Sequence, residues 1–293
     1  MAMLYSDRSA KTVQRRMIVD ACRRLTAIAP TIEYQYVGFG GLEYNDFIDM
    51  HLALGLETMT SIERDTMLTH RVEFNRPYAG IEVKMGEARD MLSTLHWDRR
   101  AITWLDYTDP LDRNILRDVD YVIRAAPPGS VTIVTTQADL RGKSAPERLA
   151  TIRERLDDLC PPDLAPKDTN GWGIAAAERE ALQTLANSVC REAHDGPFRQ
   201  LFNFNYADNA RMLTWGGITA SPALEEAITR CRFDDLPFIR EGAQPLLVRV
   251  PDLTTREWLH LERETAGGHA LPNVPPGIQA QAVEDFERVY RWR

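Results

Sequence analysis

The sequence has few of the features that mark an exported, membrane-bound or metal-binding protein. Its four cysteines are far apart and form no C-x-x-C pair, so their spacing indicates neither a zinc site nor a redox motif. No apolar run approaches the length of a membrane span, and the first residues become charged at once, unlike a signal peptide. We therefore expect a reduced, cytoplasmic protein that makes no contact with a membrane.

Acidic side chains outnumber basic ones over most of the chain. The 293 residues carry 35 basic and 43 acidic side chains, a net charge of −8, which gives no general reason to bind nucleic acid. The first thirty residues differ, because they hold six basic and only two acidic side chains. A solvated helix face explains this segment most simply, and contact with an anionic ligand is the alternative.

Apolar periodicity divides the chain into alternating strands and helices. The predicted strands cover 32–37, 58–62, 81–85, 101–105 and 130–136, and a late pair covers 199–206 and 211–219. Helical patterns with short connections separate the early strands, which predicts a parallel sheet covered by helices on both faces. The late pair is close enough in sequence to form an antiparallel hairpin.

We expect one large α/β domain with additions rather than two separate domains. A basic amphipathic helix is predicted within residues 1–31, and a catalytic domain over 32–220. Two further helical patterns, at 146–160 and 174–193, predict an insertion over about 139–197 that forms a lid. Residues 221–293 are predicted to be a C-terminal extension packed on the same domain.

Polar residues or glycines end four successive predicted strands, at what would be one edge of the sheet. These residues are Gly38, Gly40, Gly41, Glu63, Glu87 and Asp106. In such sheets, ligands bind outside the carboxyl ends of the strands. A carboxylate after the second strand can accept hydrogen bonds from ribose hydroxyls, and one after the third can accept from an adenine amino group. The pattern predicts an adenosine-containing cofactor lying against the glycines.

With these motifs the sequence resembles the class I S-adenosylmethionine-dependent methyltransferases over about residues 34–219. The matching segments are VGFGG at 37–41, SIERD at 61–65, GEA at 86–88 and WLDYTDP at 104–110. The resemblance implies a Rossmann-like, doubly wound, mostly parallel sheet with an antiparallel final strand, and S-adenosyl-L-methionine as cofactor. The cofactor-binding residues it implies are Gly38, Phe39, Gly40, Gly41, Glu63, Arg64, Glu87, Ala88 and Asp106.

The glycine motif departs from the family pattern in one respect. The family usually has an acidic residue just before the glycines, whereas Tyr36 stands there in this chain. The departure concerns the group that holds the amino-acid end of the cofactor. Asn45 or Asp46, which follow the glycines closely, could substitute for the missing acid.

Methyl transfer to oxygen requires removal of the acceptor's proton, by a general base or by a metal that lowers its pKa. We predict Asp106 for either role, with Asp109 as its catalytic companion. Metal-dependent O-methyltransferases place one Asp at the end of this strand and another beyond the next, which Asp106 and Asp139 resemble. A divalent metal is therefore a second cofactor that the sequence allows, although we predict no metal-ligand set.

We predict a methyltransferase acting on a small molecule at oxygen. The segment DYTDP at 106–110 lacks the (D/N)-P-P-(Y/F) pattern of the methyltransferases that act on nucleobases. Spermidine-synthase-like aminopropyltransferases share the fold and a D-x-x-D-P segment, although few residues precede the first strand for their amino-terminal domain. A third alternative is that the protein is a non-catalytic subunit or sensor that binds adenosylmethionine. The acceptor and the oligomeric state stay open at this point.

Overall fold

The apolar runs of the sequence form one mixed sheet in the computed structural model, which describes residues 9–266 and 274–293. Within those residues the sheet has eight strands, and β7 is antiparallel to β5 and β6, whereas the other neighbouring strands are parallel. The strands are β1 (Gln35–Gly38), β2 (Thr58–Glu63), β3 (Ile81–Met85), β4 (Ala101–Asp106), β5 (Val131–Gln137), β6 (Phe198–Ala207), β7 (Arg211–Thr219) and β8 (Leu246–Leu247). Their order across the sheet is β3-β2-β1-β4-β5-β7-β6-β8.

Helices cover both faces of this sheet. The described α-helices are α1 (Ser9–Arg23), α2 (Asn45–Leu54), α3 (Thr69–Asn75), α4 (Ala88–Leu92), α5 (Arg113–Ala125), α6 (Ala145–Leu156), α7 (Gly173–His194), α8 (Glu225–Arg230), α9 (Thr255–Ala266) and α10 (Ala280–Val289). One apolar cluster joins α1, α2 and the C-terminal helices to one face, and a second joins α5, α6 and α7 to the other. The predicted doubly wound, mostly parallel fold is confirmed.

Local sequence signals account for where several helices begin. Asp112 caps α5, because its Oδ1 accepts hydrogen bonds from the backbone N–H groups of Asn114 and Ile115, both at 2.9 Å. The predicted capping box at the start of α9 is present, with the carboxylate of Glu257 accepting from the backbone N–H of Thr254 at 2.7 Å. Such caps satisfy backbone donors that a helix leaves without partners in its first turn.

The helix after the glycines starts later than its apolar spacing suggests. We predicted a helical pattern from residue 42, whereas α2 begins at Asn45. Gly41 and Tyr44 adopt left-handed backbone conformations, with φ of +56° and +52°, so the intervening residues form a turn. The apolar stretch PLLVRV at 245–250 has the pattern of a longer strand, but only Leu246–Leu247 pairs with β6.

The predicted lid is wrong for its longer helix. α7 packs on the sheet and against α5, and it buries the small side chains Ala177, Ala181 and Ala186 in the second apolar cluster. A helix buried in this way is a layer of the fold rather than a lid. None of the helices in the described residues has the length and apolar character needed to cross a membrane.

Candidate active site

A cleft of about 550 Å³ opens at the carboxyl ends of β1 and β4. Its lining combines the glycine turn, the start of α2, the end of β4 and one face of α1. The lining residues are Lys11, Thr12, Arg15, Phe39, Gly40, Gly41, Leu42, Glu43, Asn45, Asp46, Trp104 and Asp106. The cleft therefore lies where the sequence predicts ligand binding, and α1 contributes a wall that was not predicted.

The space beside two of the three glycines in the turn is filled by side chains of the protein itself. A Cβ at Gly40 would lie 2.6 Å from both Ser61 Oγ and the Tyr44 ring, and one at Gly38 would lie 2.9 Å from the Tyr36 hydroxyl oxygen. Gly41 differs, because nothing lies within 4 Å of its Cβ position and its φ is positive. Of the three, only Gly41 combines a glycine backbone with open space beside the cleft.

The partly buried Asp46 and the fully buried Tyr36 form a polar pair at the base of this cleft. The Tyr36 hydroxyl, on β1, donates a hydrogen bond to Asp46 Oδ2 in the first turn of α2. Burial, with a smaller contribution from the nearby Asp106 carboxylate, raises the pKa of Asp46 to about 6 against the opposing effects of the Tyr36 hydrogen bond and of Arg15. Burial, followed by the charge of Asp46, raises the pKa of Tyr36 well above its ordinary value. Tyr36 thus holds the Asp46 carboxylate in place beside the cleft.

Helix α1 contributes two cations to the same cleft. Lys11 donates through Nζ to Asp106 Oδ2, and the two side chains are 23% and 20% exposed. Arg15, one turn further along, places Nε 3.5 Å from Asp49 Oδ2 on α2. The proposed explanation of the basic N-terminal segment as a solvated helix face is wrong for these two residues, because both line the cleft.

A second cleft, of about 620 Å³, lies beyond the ends of β3 and β4. Its lining includes Arg64, Glu87, Ala88 and Asp109, all of which were singled out in the sequence. At its base the Tyr107 hydroxyl donates to Asp118 Oδ2 at 2.6 Å. Burial and the charge of Asp118 raise the pKa of Tyr107, so this phenol remains a donor.

An aromatic pair separates the two clefts. Phe39 lines the first and Tyr107 the second, and their ring centroids are 5.0 Å apart in an edge-to-face arrangement. Because the two rings touch, the clefts adjoin along the carboxyl edge of the sheet. The predicted residues divide between them, with Phe39, Gly40, Gly41 and Asp106 in the first and the β2–β4 loop residues in the second.

Glu63 and Gly38 line neither cleft. Glu63, at the end of β2, is half-buried, and its Oε1 accepts a hydrogen bond from the backbone N–H of Asp65 at 3.0 Å. Its neighbour Arg64 reaches Asp109 across the strand ends, with Nη1 3.4 Å from Oδ2. The structure therefore places the predicted catalytic acids, Asp106 and Asp109, in different clefts, and the role of each stays a prediction.

Asp139, one of the two residues suggested for a metal, has a cation as its partner. Asp139 is buried and binds Arg141, whose Nε lies 2.6 Å from its Oδ2. Within residues 9–266 and 274–293 no group of three or more His, Cys, Asp or Glu side chains could hold a metal ion. The described residues thus provide no set of side chains that would hold a metal ion beside Asp106.

Sequence reasoning gave ligand contact by the basic N-terminal segment only as an alternative, and it missed the Tyr107–Asp118 pair. Lys11 and Arg15 are four residues apart, a spacing that places both on one face of a helix. That spacing could have identified a basic face. It could not have identified Asp106 as the partner, because 95 residues separate Lys11 from it in the sequence.

A protein-family model described as "Putative O-methyltransferase" matches residues 3–293. The chain belongs to this family. The match covers the basic helix, the sheet and the C-terminal helices alike, and it confirms the methyltransferase family predicted from the glycine and acid motifs. No curated protein sequence matches the chain.

Solved structures with a similar fold include two methyltransferases and a probable spermidine synthase. An S-adenosylmethionine-dependent methyltransferase from Mesorhizobium loti is 16% identical over 39% of this chain and 51% of its own, with a TM-score of 0.29. Human N-acetylserotonin methyltransferase in complex with SAM is 12% identical over 69% and 52%, with a TM-score of 0.38. A probable spermidine synthase from Corynebacterium glutamicum is 12% identical over 83% and 82%, with a TM-score of 0.44.

The chain spans about half the length of the first two of these structures. Their identities are below 25% and their TM-scores below 0.5. They therefore do not bear on the acceptor of this chain, for which its own clefts are the guide.

Proposed function

We propose that this protein transfers a methyl group from S-adenosyl-L-methionine to an oxygen atom of a small molecule. The observation that carries the proposal is the pair of adjoining clefts along the carboxyl ends of β1, β3 and β4. An elongated ligand with a polar, charged end and a flat base fits such a pair better than either cleft alone. Ligands of open α/β sheets bind at this edge.

The residues present fit the two ends of the cofactor. In the first cleft, Gly41 and the carboxylates of Asp46 and Asp106 provide an open turn and acceptors for an ammonium group. In the second, Glu87 and Ala88 stand beside the hydrogen-bonded Tyr107, on a surface suited to a flat base. Glu63 lines neither cleft but ends β2, the strand next to β1, and its Oε2 has no hydrogen-bond partner among the described residues, so we assign it to a ribose hydroxyl at the edge of the site.

When bound, the cofactor supplies an electrophilic methyl group, and alignment of the acceptor is the task of the protein. Asp106 is the side chain placed to accept the acceptor's proton, because it ends β4 and faces the first cleft. Trp104, whose Nε1 donates to Thr135 Oγ1 at 3.0 Å, forms a fixed, largely apolar wall beside it. A carboxylate beside such a wall can position and deprotonate a hydroxyl group.

The dimensions of the first cleft support a small acceptor. Its volume of about 550 Å³ must hold the amino-acid end of the cofactor as well as the acceptor. Ligand clefts of roughly 300–1,000 Å³ are typical of small-molecule sites. The net charge of −8 also makes a polynucleotide acceptor unfavourable.

The direct test is turnover by the purified full-length protein. Formation of S-adenosylhomocysteine would be followed over a panel of phenols, carboxylic acids and amines, with the methylated product identified by mass spectrometry. We expect methylation of a phenol or carboxylic acid. Methylation of amines alone would contradict the oxygen acceptor, and binding without any turnover would favour the sensor.

The Glu63→Ala substitution tests the ribose end. We expect it to weaken binding of S-adenosylhomocysteine by roughly 1.5–3 kcal/mol, the range for hydrogen bonds to a charged group. Calorimetric titration measures the change. Glu63→Gln keeps an oxygen for the Asp65 turn and separates loss of the turn from loss of charge. Glu82→Gln, at an exposed residue paired with Lys84, is the matched control. Unchanged affinity in Glu63→Ala would remove this residue from the site.

A further inference from the structure

We propose that Lys11 binds the carboxylate of the cofactor's amino-acid end, while Asp46 binds its ammonium group. The inference rests on the proposed function, because it assigns partners to one end of the proposed cofactor. It makes α1 a part of the binding site.

Lys11 and Arg15 both line the cleft, but only Lys11 has an ion-pair partner that lines it too. It bonds to Asp106, and both residues line the 550 Å³ space. Arg15 instead pairs with Asp49, which does not line this cleft. A ligand entering the cleft therefore meets the Lys11–Asp106 pair directly, whereas the partner of Arg15 lies outside its path.

A zwitterion is the type of ligand that can open this pair without leaving a charge alone. The two side chains are only 23% and 20% exposed, so separating them without replacement partners leaves partly desolvated charges, which is costly. An incoming carboxylate provides a new partner for Lys11. The accompanying ammonium group finds Asp46, whose carboxylate lies close enough to Asp106 for the two charges to interact.

When the carboxylate of the ligand replaces Asp106 as the partner of Lys11, the Asp106 carboxylate becomes available to the acceptor. Once Lys11 bonds to the carboxylate of the ligand, the Asp106 side chain loses its only hydrogen-bond partner among the described residues. Its carboxylate then faces the remaining space of the cleft, where an acceptor hydroxyl has to lie. The same rearrangement that binds the cofactor thus frees the group proposed to receive the proton.

The position of Lys11 is fixed by the packing of α1. Val13, Met17 and Ile18 on this helix are fully buried in the first apolar cluster, which fixes α1 in place beside the cleft. A cation on a packed helix needs little further ordering when a ligand binds. Tyr36 fixes Asp46 in the same way by its hydrogen bond.

The test compares two nucleosides that differ in the proposed contact. Calorimetry on the full-length protein would measure binding of S-adenosylhomocysteine, which has the complete amino-acid end, and of 5′-methylthioadenosine, which lacks it. We expect Lys11→Met to weaken S-adenosylhomocysteine binding by about 10- to 100-fold, as for loss of a charge-assisted hydrogen bond. Its binding of 5′-methylthioadenosine should match that of the wild type, which also shows that the variant is folded.

Two further variants complete the comparison. Lys11→Arg should retain most of the affinity for S-adenosylhomocysteine, because it keeps the charge. Arg16→Met, at an exposed residue of the same helix that does not line the cleft, should change neither ligand. Equal weakening of both nucleosides by Lys11→Met, or no weakening, would overturn the assignment of Lys11 and leave the proposed function intact.

The wild-type protein tests the proposed function separately. If it binds neither nucleoside, the proposed cofactor is wrong and the role of Lys11 falls with it. If it binds decarboxylated S-adenosylmethionine more tightly than S-adenosylmethionine, the carboxylate contact is overturned and aminopropyl transfer is favoured instead.

Discussion

Replacing Asp106 by Asn is expected to lower the rate constant for methyl transfer to an alcohol or phenol by roughly 10²–10⁴-fold, the usual contribution of a general base. Asparagine has nearly the same shape but cannot take up a proton. It also weakens the contact with Lys11, so turnover has to be measured at saturating cofactor, with its affinity determined separately. Single-turnover kinetics on the best acceptor of the panel would give the rate constant.

The acidity of the acceptor distinguishes a base from a residue that only positions. A phenol that is already ionised at the assay pH needs no base, so the loss in Asp106→Asn should shrink as the acceptor pKa falls. A loss that stays constant across acceptors would contradict the role of base. Asp120→Asn, at a surface residue paired with Arg124 on α5, is the matched control. Asp109→Asn in the same assay separates the two predicted catalytic acids.

The fold could be predicted because its signals are local. Apolar runs of strand length alternate with helical patterns, and β3 and β7 have the same bounds in the structure as in the sequence prediction. The order of residues at the strand ends then follows, since parallel strands place their carboxyl ends at one edge. This reasoning located Gly41 and Asp106 beside one cleft and Glu87 beside the next.

Contacts between distant segments could not be predicted in the same way. Lys11 meets Asp106 because α1 packs across the sheet, and no local pattern contains that information. The glycines were attributed to a ligand, yet at Gly40 the close neighbours are Ser61 and Tyr44. In both cases the residue type was informative, whereas the identity of its partner depended on the tertiary fold.

Glu178 on α7 is a buried acid, and its burial also could not be predicted from the sequence. Glu178 lies in a segment whose charges suggest a solvated helix, but it is only 2% exposed and lies among the side chains of the second apolar cluster. Thr136 Oγ1 donates to its Oε2 at 3.3 Å. Burial raises the pKa of Glu178 from 4.5 to about 8, and the Thr136 hydrogen bond and the charge of Arg155 only partly oppose this rise.

This pKa makes the stability of the protein depend on pH. Between pH 4.5 and about 8 the folded protein keeps the Glu178 proton, while the unfolded chain releases it. The folded state then binds more protons, so the free energy of unfolding falls as pH rises through this range and levels off above it. The contribution is complete below pH 4.5 and is lost by about pH 8, by an amount on the order of 4–5 kcal/mol.

Glu178→Gln should remove this pH dependence, because an amide of similar size does not ionise. We expect the variant and the wild type to have similar unfolding free energies at pH 5, and the variant to be more stable by about 4 kcal/mol at pH 8. Urea denaturation over this range measures both. Glu180→Gln, at an exposed residue two positions along the same helix, should follow the wild type at every pH. Parallel pH profiles for Glu178→Gln and the wild type would mean that Glu178 ionises in the folded protein at its ordinary pKa.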